Sequence, residues 1–214
     1  MLGLFFIFQN NFFISKTQAQ SSDAIAIRVM PNQEHYSISR WYAENFGVTG
    51  SPQLSTVDGY EAIRDGRSVY VNVSNVSASN VLFTNVYLIS YNQDAEEATA
   101  DIFSKILANW KFNTNKTVYG LCRGDASISC LSDSECPIND YCSSAKARIV
   151  RDTKRLSDIS EIKFLLEDYK LSNATYPILN SGTFIPYNTL SAWPSWRGAI
   201  SEKLAASLPT DPVN

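Results

Sequence analysis

Four cysteines are the residues of this 214-residue chain whose types and spacing most clearly predict chemistry. An even, clustered set after an export signal predicts two disulfide bonds, and the spacing leaves the pairing open. A zinc site is the weaker interpretation, because the cysteines form no C-x2-C pair and the single histidine, His35, lies far away in sequence. The four residues are Cys122, Cys130, Cys136 and Cys142.

The sequence offers little material for catalysis. It contains none of the short motifs that mark serine hydrolases, zinc proteases, P-loop proteins or dinucleotide-binding enzymes. One histidine and paired cysteines make Ser/His and Cys/His nucleophilic arrangements hard to assemble. Adjacent acids could serve glycoside hydrolysis in principle, but neighbours on a helix point to different faces, so we expect solvated surface acids and no enzymatic activity. The adjacent acid pairs are Glu96/Glu97 and Glu167/Asp168.

Aromatic side chains suggest an alternative function. Trp193 and Trp196 flank a proline, and a second aromatic pair, Trp41 with Tyr42, opens a predicted helix. Flat rings can stack on sugars, so the alternative is a cell-surface module that binds a glycan or a protein ligand. Most tryptophans are partly buried in a core, which favours packing over binding.

Residues 1–20 predict a signal peptide or an N-terminal anchor. Apolar runs cover residues 2–8 and 12–14, and small residues at Thr17 and Ala19 fit a cleavage site after Ala19. Clustered cysteines agree with export, and no stretch is a convincing 20-residue membrane span. A net charge of −3 argues against a nucleic-acid partner. We expect an extracytoplasmic protein that meets a membrane only through its N-terminal segment.

Residues 21–118 predict a small mixed α/β domain. Its expected strands cover residues 24–30, 60–63, 68–71 and 81–91, with a hairpin turn at Asp65-Gly66 because Asp-Gly tolerates positive φ. Its expected helices cover residues 37–46, capped by Ser37, and 94–110, opened by a capping box of Asp94 and Glu97. The apolar face expected for the second helix is Ala95, Ala98, Ile102, Ile106, Leu107 and Trp110.

Residues 119–143 predict a connector in which disulfides replace a hydrophobic core. A long helix follows over residues 144–171, which would measure about 40 Å. Its first half is basic and its second half acidic, so we expect a solvated charged face that includes Glu161; a contact surface for a neighbouring subunit is the alternative. The apolar stripe of the long helix is Ile149, Leu156, Ile159, Ile162, Leu166 and Tyr169. A further, short helix is expected over residues 197–207.

Two motifs in the last third of the chain resemble a known family. Residues 167–177 read EDYKLSNATYP, and residues 208–214 read LPTDPVN. Together they resemble the end of the long helix and the Leu-Pro-x-Asp-Pro motif of type IV pilins and the major pseudopilin of type II secretion. Residues 24–110 resemble uncharacterised bacterial envelope proteins.

The resemblance implies an α+β chain that ends in a truncated pilin-like head over residues 144–214. It implies a structural or assembly role without catalysis, with other envelope or pilus/secretion-system proteins as partners. It also places Asp211 and Asn214 where the family often binds calcium, and it predicts that Tyr176 folds back on the last helical turn near Tyr169. Acids within the cysteine loop are expected to be solvated: Asp125, Asp133, Glu135 and Asp140.

Overall fold

A computed structural model describes residues 23–47, 50–178 and 194–213, and these residues form a mixed α+β fold. Residues 1–20, Trp193, Asn214 and the side chain of Trp196 lie outside this description. The strands are β1 Ile25–Pro31, β2 Gln53–Val57, β3 Tyr60–Asp65, β4 Ser68–Val76, β5 Leu82–Tyr91, β6 Gly120–Leu121 and β7 Ser129–Cys130; the helices are α1 Ile38–Phe46, α2 Glu97–Asn109, α3 Ala145–Asn173 and α4 Pro194–Leu204.

Strands β1 to β5 form one antiparallel sheet in the order β1-β5-β4-β3-β2, so β1 and β2 are its edges. The β2–β3 hairpin turns at Asp58 and Gly59, whose φ angles of 52° and 84° are those that a tight two-residue turn needs. We did not predict β2. The β3–β4 turn lies one residue later than expected, because Asp65 still pairs with Ser68 at the end of the ladder.

Helix α1 covers one face of the sheet. Ser37 caps it as predicted by accepting a hydrogen bond from the Arg40 backbone, and it ends at Gly47, whose φ is 69°. Trp41 and Tyr42 are buried against Tyr70 on this face. They are therefore core residues and offer no open stacking surface to a sugar.

Helix α2 covers the opposite face through Phe103, which is fully buried beside β4 and β5 residues. The predicted capping box is wrong: the helix begins at Glu97 and its N-cap, Glu96, makes no side-chain cap bond. Instead, the Asp23 carboxylate accepts hydrogen bonds from the Glu96 backbone and the Thr99 hydroxyl. A residue remote in sequence thus supplies the acceptor at this helix end.

The buried face of α2 also differs from the predicted stripe. Thr99 and Phe103 are its buried residues, whereas Ile102 is exposed. Leu107 and Trp110 do pack against the core as expected. The aromatic contact of Phe103 with Tyr91 explains the rotation, because the large ring fills the space over β5.

Helix α3 is the longest element, with 29 residues and a length of about 43 Å. The predicted helix is present, and Ser144 is its N-cap: the Ser144 hydroxyl accepts a hydrogen bond from the Ala147 backbone, and the helix ends at Ala174 with φ of 61°. Its first half packs on β3 and β4. Within the described ranges, no helix has the length and apolar content that crossing a membrane requires.

The side of α3 that meets the sheet is more polar than its predicted apolar stripe. Thr153 and Ser157 are buried, and the Ser157 hydroxyl accepts a hydrogen bond from the Asn72 amide at 3.0 Å. Ile159, expected on the buried stripe, is 63% exposed. The buried Asn72 side chain on β4 determines this choice, because it needs a polar partner on the helix above it.

Candidate functional site

Two crossed disulfides close the connector. Cys122 bonds to Cys136 and Cys130 to Cys142, with Cα–Cα distances of 5.6 and 5.9 Å. Ala147 of α3 packs in the same buried cluster, so the bridges lie directly under the start of the long helix. The prediction of two disulfides is confirmed, and the zinc interpretation is not needed to explain the cysteine spacing.

Arg151 joins α3 to this connector. Its guanidinium pairs with the Asp133 carboxylate, donates to the Cys142 carbonyl at 3.0 Å, and lies 5.1 Å from the centre of the Tyr141 ring. The side chain is buried. The first half of α3 was expected to be solvated, and this is wrong for Arg151, because buried acceptors from the connector hold its charge.

Asp58 forms a second buried charge cluster at the β2–β3 turn. Its carboxylate is 5% exposed and accepts hydrogen bonds from the Phe112 backbone at 2.8 Å and the Lys111 ammonium at 3.3 Å. The buried Lys146 ammonium of α3 lies 2.8 Å away. Lys146 too was wrongly expected in solvent. The Asp58-Gly59 hairpin dipeptide was the sequence signal that could have located this cluster.

A cavity of about 230 Å³ lies between β3, β4 and the first half of α3. Its charged lining residues are paired: Arg151 with Asp133, and Lys154 with Glu61. Burial lowers the pKa of Lys154, but its hydrogen bond to Asp158 and the attraction of Glu61 outweigh this, so the pKa is raised. Mutual pairing stabilises the packing of α3 on the sheet and gives this cavity no unpaired general base.

His35 has a structural partner. Its Nδ1 lies 2.9 Å from the Thr84 hydroxyl, which itself donates to the Asn32 carbonyl at 2.6 Å. Because the Thr84 hydrogen is already used, the His35 Nδ1 carries a hydrogen and donates it to the Thr84 oxygen. The histidine therefore fixes the chain between β1 and α1.

The acids of the cysteine loop each have local donors. Asp125 accepts from the Ser127 backbone and hydroxyl, Glu135 from the Leu131 backbone, and Asp140 from the Gly124 backbone. Among the described residues, the only group of three or more potential metal-ligating side chains within 4.8 Å is Cys122, Cys130 and Cys136, which are disulfide-bonded.

Asp211 pairs with Arg155 of α3. The guanidinium donates to both carboxylate oxygens, at 2.6 and 3.0 Å, and the Val213 backbone donates to one of them at 3.0 Å. These contacts, led by the Arg155 hydrogen bond, lower the pKa of Asp211. A cation at Asp211 would have to displace an arginine, and Asn214 lies outside the described residues, so calcium binding stays a prediction.

The Asp211–Arg155 pair gives a pH-dependent prediction. A carboxyl whose pKa is lowered by folding stabilises the native state above its unfolded pKa of about 3.9, and this contribution is lost as the pH falls through the folded value. Asp211→Asn should therefore cost about 1 kcal/mol at pH 7 and nothing at the acid end. Urea unfolding across that range would measure it.

Asp152→Asn is the matched control, because Asp152 touches the same guanidinium at 2.8 Å but is half exposed. We expect this variant to change stability by less than Asp211→Asn at pH 7. Equal costs at every pH for the two variants would contradict a special role of Asp211 in holding the chain end to α3.

The outer half of α3, residues 158–173, is the most distinctive surface. None of its residues is buried, and Ile159 and Leu171 are 63% and 85% exposed. Its base is braced by α1: the Arg40 guanidinium donates to Glu161 at 2.6 and 2.8 Å and lies 3.4 Å from the centre of the Phe164 ring. The expectation of a solvated Glu161 is therefore wrong, and the bracing fixes the direction in which the helix projects.

Tyr176 folds back on the end of α3, as expected for the last helical turn. Its hydroxyl donates to Glu167 at 2.7 Å, and the Lys170 ammonium lies 4.7 Å from the centre of its ring. Glu167 and Lys170 are thus the residues of the helix end that contact Tyr176, in place of the predicted neighbour Tyr169. The Tyr176 side chain therefore packs against the last two turns of α3, and the chain turns away from the helix at Tyr176-Pro177.

Comparison of the chain with protein-family models, curated proteins and solved structures finds no match. The resemblance to pilins and pseudopilins thus rests on the two sequence motifs alone. The candidate sugar-binding pair cannot be weighed on geometry, since Trp193 and the Trp196 side chain lie outside the described residues.

Proposed function

We propose that this chain is an exported, non-catalytic structural protein of the cell envelope that joins a larger assembly through the outer half of α3. The observation that carries the proposal concerns α3, whose first half is packed on the sheet. Its last 16 residues, from Asp158 to Asn173, include no buried side chain. Other envelope or pilus/secretion-system proteins are the proposed partners, in keeping with the pilin-like motifs.

The physical argument concerns helix stability. A segment of this length is marginal as an isolated helix in water, because nucleation is costly and tertiary packing supplies most helical stability. Here Ile159 and Leu171 are presented to solvent instead of a core, and Phe164 is 40% exposed beside Arg40. Contiguous exposed apolar patches are typical of surfaces that bind a partner, and the exposed apolar side chains of this segment are the proposed contribution to such a patch.

The compartment is supported by the two disulfides, which persist in oxidising environments outside the cytoplasm. We expect the exported protein to begin near Gln20 or Ser21 and to contain no free thiol. Mass spectrometry after alkylation without reduction should find all four cysteines unmodified. Four alkylated cysteines would contradict export into an oxidising compartment.

A photo-crosslinking residue at position 171 tests the partner surface directly. In intact cells of the source organism, we expect it to capture a discrete partner that mass spectrometry identifies as an exported protein. Position 138 is the matched control, since Ile138 is equally apolar and exposed but lies in the cysteine loop. Capture at 138 and not at 171, or a cytoplasmic partner at 171, would contradict the proposal.

A further inference from the structure

The free edge of β1 has a pattern that suits pairing with another strand. Within the described residues, β1 is bonded on one side only, to β5, in an unbroken antiparallel register. Its side chains Ile27 and Val29 lie on the α2 face of the sheet, opposite Ile89 and Tyr87, and each is about half exposed. An apolar, regular edge strand is a ready template for a further strand.

The hydrogen-bond pattern shows which backbone groups are free to pair. At one end of the register the Ala24 carbonyl accepts from Asn92, and at the other end the Asn32 N–H donates to Thr84. Ala24 and Asn32 are both even-numbered. The backbone N–H and C=O groups of the even residues of β1 therefore point toward β5, and those of the odd residues point away from the sheet. The outward groups therefore belong to Ile25, Ile27 and Val29, whereas Pro31 has no N–H to offer.

The outward pattern is complementary to itself. In an antiparallel pair with Ile27 opposite Ile27 of a second copy, Ile25 lies opposite Val29. The side chains of these three residues then meet apolar side chains of the second copy on one face of the joined sheet. On the other face, Arg28 lies opposite the small Ala26. Moving the register by two residues in one direction would place Arg28 opposite Arg28, which is destabilising for like charges in a cross-strand pair. Moving it by two in the other direction would place Val29 opposite Asp23, which precedes the strand.

The opposite edge lacks these properties. β2 is shorter, with five residues, and its sequence is Gln-Leu-Ser-Thr-Val, so polar side chains dominate it. Leu54 is its one strongly exposed apolar residue, at 76%. Short and polar edges discourage further pairing, whereas β1 has seven residues, of which only Arg28 is charged.

We propose that two copies of this chain pair antiparallel through β1, with Ile27 on the two-fold axis, to form one continuous ten-stranded sheet. The surface is separate from the outer half of α3. Each protomer would therefore keep its projecting helix free, and the dimer would present two such helices to the envelope partners proposed above.

Light scattering of the exported protein across a dilution series tests the dimer. Ile27→Lys should raise the dimer dissociation constant at least about tenfold, because two ammonium groups would meet on the axis. Leu54→Lys is the matched control: the same change at an exposed leucine of the other edge should leave the dimer intact. Since Ile27 is 51% exposed, an unchanged circular dichroism spectrum should show that the variant still folds.

A disulfide test reads the register. Ala26 and Arg28 of opposing copies form a pair without backbone hydrogen bonds, where Cα atoms lie about 4.5 Å apart, within reach of a disulfide. Mixing Ala26→Cys with Arg28→Cys should give a linked dimer, and Ala26→Cys alone should not. A monomer at all concentrations, or a dimer lost with Leu54→Lys and kept with Ile27→Lys, would overturn the proposal.

Discussion

Replacing both Cys122 and Cys136 by serine is expected to lower the free energy of unfolding by about 2–4 kcal/mol. The bridge spans 14 residues of a connector that has little hydrophobic core of its own. Without it the unfolded chain gains conformational freedom, and polar serines at the buried position 122 and the partly buried position 136 replace an apolar bridge. Chemical denaturation followed by circular dichroism would measure the loss.

The consequence should spread from the connector to the start of α3. The Cys142 carbonyl and Asp133 hold the Arg151 side chain, so a loosened connector leaves a buried charge less well paired. Hydrogen exchange should rise first in residues 120–150 and least in β4 and β5. Ser134→Ala, an exposed change inside the same loop, is the control. Unaltered stability of the cysteine variant would mean that the Cys122–Cys136 bridge does not stabilise the fold.

Local signals allowed several elements to be predicted from the sequence. The ends of α1 and α3 are determined by contacts within a few residues, such as those of Ser37 and Gly47 at α1 and of Ser144 at α3. Both helices were therefore predicted correctly. The strand over β5 was also clear, because a run of branched and aromatic residues has few other structures available. The disulfides were predicted from composition and spacing, although their crossed pairing required the structure.

Long-range partners could not be predicted. The acceptor for the α2 end is Asp23, more than 70 residues away, and no local pattern contains it. Lys146 and Arg151 look like ordinary surface cations until the connector and the Asp58 turn close around them. Likewise, the sequence predicted an apolar stripe along α3, but the polar Asn72 beneath it selected Ser157. The buried charge clusters of the first half of α3 thus depend on tertiary contacts, which the hydrophobic periodicity of the sequence does not predict.

Asp58→Ala is expected to destabilise the fold by about 3–5 kcal/mol, because it leaves the buried Lys146 ammonium without its anion. The Phe112 N–H also loses its acceptor, and alanine tolerates the φ of 52° at this turn less well than aspartate. Asp58→Asn is the conservative comparison, since it keeps an acceptor and the turn preference but removes the charge. We expect its cost to fall between the wild type and Asp58→Ala.

A double-mutant cycle separates the charge from the turn. Lys146→Met removes the buried ammonium while keeping a flexible apolar stem of similar length. If the ion pair dominates, Lys146→Met should restore about 1–3 kcal/mol to the Asp58→Asn chain, because no buried charge is then left unpaired. Lys111→Met is the matched control: Lys111 contacts the same carboxylate but is 64% exposed, so it should restore little. Equal recovery with both methionine variants would show that general loss of positive charge, and not the buried pair, controls how α3 is held to the β2–β3 turn.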